Sequence, residues 1–365
     1  MPEQQATAVA PPAARAAIWP THRTRSVSRL ISAFFDRHEA EAAAYGRDFS
    51  ALWAQLRHAT EGGKKMRPDL VLIAHRELGG EHDEAAIAAA AAFELLHTAF
   101  LIHDDVIDGD TVRRGGANLI GSWSLEARSI GIADSAAKNW GEAAGILAGD
   151  LMIHFAHGLI ARLDVEADVR SLLLDIFDEA MMITAAGELD DVGLSVGMQT
   201  PTMTTVLAMT ARKTAHYSFR GPLKTGATLA GVDAGVIALL DDYGENTGIA
   251  FQLRDDLLGM FGSPTATGKS VVSDLRRAAM TPLMAYALRT PCRDELLELL
   301  DATSGDVGAD RVRRLLIESG ARDFVNDLIE RHVGQALATA RSTHLPRALG
   351  EYLADVSAAA AQRTW

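Results

Sequence analysis

The sequence predicts an all-α fold, a single large helical bundle, on three observations. Alanine is abundant, runs of β-branched residues are short, and the strict apolar/polar alternation of half-buried strands is scarce. Neither a fixed-period repeat nor an interdomain linker divides the 365 residues. One helical domain over 26–365 is therefore the economical reading.

Taken in order, residues 1–25 are rich in Ala and Pro without a sustained apolar stretch, and read as a disordered tail. Arg25 to about Leu56 reads as one amphipathic helix with Leu30, Ile31, Phe34 and Phe35 on one side. Gly62-Gly63 breaks it, and Pro68 suits the first turn of the next helix. A long apolar helix follows from Asp83 to Asp108. Further helices are expected over 137–162, 166–187, 201–229, 232–262 and 279–289, and shorter ones over 292–303, 309–318, 320–340 and 345–362. Loops are expected at Gly115–Ala136 and Ser263–Asp274, both bearing Gly or Ser. No apolar run is expected to approach the length of a membrane span.

The formal net charge is −13, which argues against nucleic acid as a partner, because a basic footprint is missing. A phosphorylated substrate is still compatible, met locally by Arg, Lys and metal. The only cysteine, Cys292, can build neither a disulfide framework nor a zinc site, so a reducing cytoplasm fits.

Two adjacent-aspartate sites interrupt this apolar pattern. The first is His103-Asp104-Asp105-Val106-Ile107-Asp108, closely followed by Arg113-Arg114-Gly115. On a helix, Asp104 and Asp108 share a face one turn apart, about 6 Å along the axis. Their repulsion would be relieved by a bridging divalent cation. Oxygen-only ligands without Cys or His point to a hard ion such as magnesium, and the Arg pair suggests a phosphate beside it. Acids at a helix C-terminus also oppose its dipole, so ordinary surface acids would be oddly placed there. The same row continues back through Phe100, Leu96 and Ala92, an apolar wall suited to a ligand with a charged head and a hydrocarbon tail.

The second site is Phe251-Gln252-Leu253-Arg254-Asp255-Asp256, again inside an apolar helix. A buried adjacent pair calls for a cation or an Arg. Gly259 stands one turn after Asp255, so no i,i+4 acidic partner exists here. The Gly62-Gly63-Lys64-Lys65-Met66-Arg67-Pro68 loop gathers cations around a flexible Gly pair. Lys213-Thr214 lies in an otherwise apolar helix, where a buried Lys wants an anion. His97 lies on the long helix seven residues before Asp104, and Gly268-Lys269 could close on a phosphate.

These segments, in this order, resemble the trans-isoprenyl diphosphate synthases, or polyprenyl synthases, from about residue 28 to near the C-terminus. The resemblance implies an all-α bundle of the isoprenoid synthase type with a deep central cavity, three magnesium ions per active site, and a homodimer. It implies head-to-tail condensation of isopentenyl diphosphate with allylic diphosphates. Asp104, Asp108 and Asp255 are then the main metal ligands, supported by Asp105 and Asp256. Arg113, Lys213 and Lys269 hold the allylic diphosphate; Lys64, Arg67, His97 and Arg114 hold isopentenyl diphosphate; Thr214 and Gln252 line the reacting end. Phe100, with small Ala99 beside it, is expected as the floor that stops growth at geranylgeranyl diphosphate, C20.

Two departures from the family pattern are visible. Gly259 replaces a third Asp of the second site, and Ala278-Ala279-Met280 replaces a basic stretch. They keep open a weakly active or regulatory subunit of a heteromeric synthase. A class I terpene cyclase is the other alternative, but its second Asn/Ser/Glu metal motif is not found.

Overall fold

The computed structural model describes residues 22–113, 115–262, 280–302 and 306–362. A 3-10 turn at His22–Thr24 leads into helices α1 (Arg25–Ala42), α2 (Arg47–Thr60), α3 (Met66–Glu77) and α4 (Asp83–Asp108). A two-residue ribbon, Val112–Arg113 against Gly116–Ala117, is followed by α5 (Leu119–Ser129), α6 (Asp134–Ala161) and α7 (Ala167–Ser195). Next come α8 (Met203–Thr210), a π-helical segment (Ala211–Arg220), α9 (Gly221–Leu229) and α10 (Ala234–Phe261). The C-terminal part comprises α11 (Pro282–Ala287), α12 (Arg293–Ala302), α13 (Asp306–Glu318), α14 (Ala321–Ala340) and α15 (Arg347–Gln362).

Helix α4 is the axis of the bundle, packed by α1, α2, α3, α5, α6 and α9. Its first four turns are largely alanine, which lets these neighbours approach closely; Ala86, Ala89, Ala90, Ala91, Ala92 and Ala99 are fully buried. Around it Phe35, Trp53, Leu96, Met152 and Phe177 form the largest core. A second core joins α10 to α11–α14 through Leu253, Leu257, Val312, Leu316 and Val325. A third joins α3, α9, α10 and α15 through Leu70, Phe219, Tyr243 and Leu349.

The two ends of the described fold meet on α3. Asp69, fully buried, accepts from Arg23 at 2.8 and 3.1 Å and from the Tyr352 hydroxyl. The Arg23 guanidinium lies 5.0 Å over the Tyr352 ring.

Several expectations are corrected. The helix from Arg25 stops at Ala42 and restarts at Arg47, because the chain turns at Gly46 with φ +105°. Residues 22–25, read as tail, are helical and anchored through Arg23. The stretch 115–136 contains α5, whose N-cap Asn118 accepts from Gly121 N at 2.8 Å. Helix α7 runs on to Ser195, eight residues past the expected end at 187. The expected helix 201–229 changes register at Ala211, where ten residues adopt π geometry. Two helices, Asp83–Asp108 and Asp134–Ala161, are long and apolar enough to cross a membrane by length and composition, contrary to expectation. For α4 the apolarity serves the bundle, because most of it is enclosed by other helices. The loop at 263–274 lies outside the described residues.

The π segment has a packing cause. A π coil is wider than an α-helix, and three glycines make room for it. Gly187 on α7 faces the backbone of Arg212 and Lys213, Gly244 on α10 faces Arg220, and Gly248 faces Ala215. A Cβ at these glycines would lie 2.4 to 2.9 Å from backbone atoms of the segment.

Candidate active site

The late turns of α4, α7 and α10 and the start of the π segment bring the acidic sites together. The focus is Lys213. Its Nζ lies 2.7 Å from Asp191, 2.9 Å from Glu188 and 3.5 Å from Asp104. Burial lowers the pKa of this ammonium, but the pull of Asp104, Asp191 and Glu188 outweighs it and holds the group well above an ordinary lysine. Beside it Arg113, in the short ribbon, grips Asp105 at 2.6 and 3.0 Å and reaches Asp104 at 3.2 Å. Burial pushes the Asp105 carboxyl up, against the opposing hydrogen bond and charge of Arg113. Glu188 is likewise raised by burial, with Lys213 opposing.

From Lys213 the chemistry passes to α10 through its neighbour. The Thr214 hydroxyl donates to Gln252 Oε1 at 2.6 Å, and Gln252 Nε2 donates to Asp256 at 2.9 Å. Burial raises the Asp256 carboxyl to about 7; Gln252 opposes this, and the charges of Asp255 and Asp191 add to it. The two aspartate sites thus share one electrostatic field.

The donor set fits a hard divalent cation. Among the described residues, Asp104, Asp105, Glu188 and Asp191 pair with two cations, Arg113 and Lys213, so carboxylates outnumber cations there. The C-terminal, partially negative ends of α4 and α7 add to this imbalance. Among the described residues no three Asp, Glu, His or Cys side chains close a cage around one ion. Of the expected metal ligands, Asp104 and Asp108 are half-buried and one turn apart on α4, and Asp255 lies on α10 beside Asp256.

The expected isopentenyl-side cations gather on α3 and α4. Arg67, 8% exposed, donates to Ser218 Oγ at 2.7 Å and to the Tyr217 hydroxyl at 3.1 Å. Among the described residues its buried Nε has no hydrogen-bond partner. His97 Nδ1 lies 3.5 Å from the same hydroxyl. Lys64 is exposed in the turn where Gly62 and Gly63 take φ of 69° and 71°. Lys65 is turned away: at φ 51° its ammonium binds Glu94 at 2.9 Å and Thr60 O at 2.5 Å. Ala99 is fully buried, and half-buried Phe100 packs edge-on against Tyr217, ring centres 5.0 Å apart. Arg114, Lys269, Ala278 and Ala279 lie outside the described residues.

Sequence reasoning missed Glu188, Asp191 and Tyr217. The signal for the first two was Glu188-Leu189-Asp190-Asp191, a third acidic interruption of an apolar helix. For Tyr217 it was an amphipathic ring four residues after Lys213.

Residues 50–315 match the family model for Polyprenyl synthetase. The chain is 31% identical over 287 residues to a geranylfarnesyl diphosphate synthase of Aeropyrum pernix, covering 78% of this chain and 84% of that one. It is 31% identical over 302 residues to a (2E,6E)-farnesyl diphosphate synthase of Mycobacterium bovis, covering 81% and 78%. Among solved structures, a geranylgeranyl pyrophosphate synthase from Corynebacterium glutamicum, complexed with isoprenyl diphosphate and magnesium, superposes with a TM-score of 0.87 at 26% identity, over 94% of this chain and 99% of that one. The chain belongs to the polyprenyl synthetase family and is a prenyltransferase of the trans-prenyl diphosphate synthase kind.

Proposed function

We propose that the chain extends allylic diphosphates by isopentenyl diphosphate units, with three magnesium ions per site, and releases chiefly geranylgeranyl diphosphate, C20. The observation that carries this reading is the convergence of Asp104, Glu188 and Asp191 on Lys213, with the Thr214–Gln252–Asp256 chain beside it. The relatives named above make products of different lengths, so the product is argued from this chain's own wall.

Asp104, Asp108 and Asp255 hold the magnesium ions, with Asp105 and Asp256 in support. When bound there, magnesium would supply positive charge against the diphosphate leaving group. Lys213 supplies fixed positive charge at that end, where it needs no reorganisation. Arg113, clamped by Asp105, faces the same charge, and Lys269 completes the set. Arg67, His97, Lys64 and Arg114 hold isopentenyl diphosphate so that its double bond lies at near-attack distance from the allylic carbon. The buried Nε of Arg67 supports this, because a phosphate oxygen would give it the partner it lacks. Thr214 and Gln252 orient the reacting end, and the apolar wall of Ala99 and Phe100 keeps water from the cation. The proton lost after carbon–carbon bond formation passes to the departed diphosphate.

The working unit is proposed to be a homodimer. Leu125, Ile130, Trp140, Ile146 and Leu147 on and after α5 and along α6 are exposed apolar side chains that a second copy would cover. The lone Cys292 supports a cytoplasmic setting.

The test is a product assay. The purified chain is incubated with magnesium, isopentenyl diphosphate and dimethylallyl, geranyl or farnesyl diphosphate, and the dephosphorylated products are sized. A C20 alcohol is expected. A longer alcohol rejects the Phe100 stop, and cyclic hydrocarbon rejects elongation. No product with any primer rejects independent activity and points to a partner subunit.

A further inference from the structure

Tyr217 touches three groups that have separate jobs in the reading above. Its hydroxyl accepts from Arg67 Nη2 at 3.1 Å and lies 3.5 Å from His97 Nδ1. The face of its ring lies 4.6 Å beneath the Arg67 guanidinium. The ring also meets that of Phe100 at 89°, centres 5.0 Å apart. One side chain therefore contacts two of the four residues assigned to isopentenyl diphosphate, Arg67 and His97, and the floor of the growing chain.

We propose that Tyr217 is a positioning and specificity residue with two separable actions: its hydroxyl sets isopentenyl diphosphate affinity by holding Arg67 and His97, and its ring sets the chain-length stop by bracing Phe100. The proposal rests on the assignment of Arg67 and His97 to isopentenyl diphosphate and of Phe100 to the floor. The physical case for the first action is that Arg67 is buried and its Nη2 is fixed by Tyr217 and Ser218. Without the hydroxyl one of these two restraints is gone, and the guanidinium must be ordered by the substrate itself. For the second, an edge-to-face aromatic pair resists displacement of either ring. Phe100 is half-buried at the margin of the main core, and Tyr217 is the ring it meets edge to face.

Tyr217 follows Lys213 by four residues within the same π segment, so the group proposed for the allylic diphosphate and the one proposed to brace the floor stand on one element.

Three variants separate these actions. Tyr217→Phe is expected to raise KM for isopentenyl diphosphate about tenfold, as loss of a hydrogen bond to a charged group implies, with kcat and product length retained. Tyr217→Leu is expected to show the same rise in KM and a shift of product beyond the wild-type length. In an Arg67→Ala background, Tyr217→Phe is expected to change KM by less than about twofold, because the hydroxyl acts through Arg67. Fold retention is checked by thermal unfolding, for which Tyr217→Phe is the conservative control.

Full multiplicative effects in the double variant would overturn the first action, as would an unchanged KM in Tyr217→Phe. Unaltered product in Tyr217→Leu, where Phe100→Ala does lengthen it, would overturn the second. If Arg67→Ala itself leaves KM unchanged, the assignment of Arg67 fails, and the proposal fails with it for that distinct reason.

Discussion

Gly248 is the most exacting test of how the site is held. A Cβ added there would lie 2.4 Å from both Cα and Cβ of Ala215, and 3.2 Å from Phe219 Cδ2. Non-bonded carbons keep about 3.5 Å, so α10 and the π segment must part by roughly 1.1 Å in Gly248→Ala. No flexible side chain can absorb this, because Ala215 meets the new methyl with its Cα and its own methyl. The neighbouring Thr214–Gln252 hydrogen bond is now 2.6 Å; the same displacement takes it to about 3.7 Å, beyond hydrogen-bonding range. Overpacking should cost about 2 kcal/mol of stability. A displacement of about 1 Å between groups at the reacting end should lower kcat on the order of a hundredfold. The assay pairs thermal unfolding with steady-state product formation. Gly334→Ala, on α14 with open space at its Cβ position, is the control and should gain about 0.7 kcal/mol. A Gly248→Ala enzyme with wild-type melting temperature and kcat within about threefold would refute the close-packed π segment as the scaffold of the site.

Three further outcomes follow from the same geometry. Phe100→Ala should lengthen the product, read by sizing the alcohols; an unchanged product rejects Phe100 as floor. Lys213→Met leaves Asp104, Glu188 and Asp191 without their shared cation. It should lower kcat by about a hundredfold or more and destabilise the metal-free protein by about 3 kcal/mol, and magnesium should raise its melting temperature more than that of the wild type. His216, 1% exposed, is held neutral: burial, and secondarily Arg220, lowers its pKa to about 4. Below its ordinary pKa the unfolded chain takes up a proton that the folded chain refuses. Stability should therefore fall as pH drops from about 6.5 to about 4, and His216→Asn should flatten that part of the curve measured by denaturant unfolding.

Much of the fold was legible because helix periodicity is a local property. α4 was readable from Asp83 to Asp108 since its alanines and large apolar residues leave no alternative. The start of the π segment was not, because nothing in Ala211–Arg220 differs from an ordinary helix. Its cause lies in Gly187, Gly244 and Gly248, which are distant in sequence and meet it only in space. Gly46 was passed over because the apolar pattern on either side stays in phase. Asp104 and Lys213, which the structure brings to 3.5 Å, were legible as charges inside apolar helices, as were Asp108 and Asp255. Glu188 and Asp191 carried the same mark but sit near the end of α7, beyond the expected terminus at 187, where acids pass for surface residues. Arg67 was readable as a cation, whereas its dependence on Tyr217 and Ser218, some 150 residues on, is a purely tertiary fact.

The knot on Asp69 has a consequence for how the chain folds. Its oxygens are claimed by Arg23, 46 residues upstream, and by Tyr352, 283 residues downstream. Closing the longer loop costs about 1.6 kcal/mol more chain entropy than closing the shorter one. The docking of α15 on α3 is therefore the later event, and hydrogen exchange should find it among the first contacts to open. Asp69 stands two residues from Arg67 on the same helix. The far end of the chain thus packs on the helix that carries Arg67, and a chain that lost α15 would be damaged at a position nearly three hundred residues away.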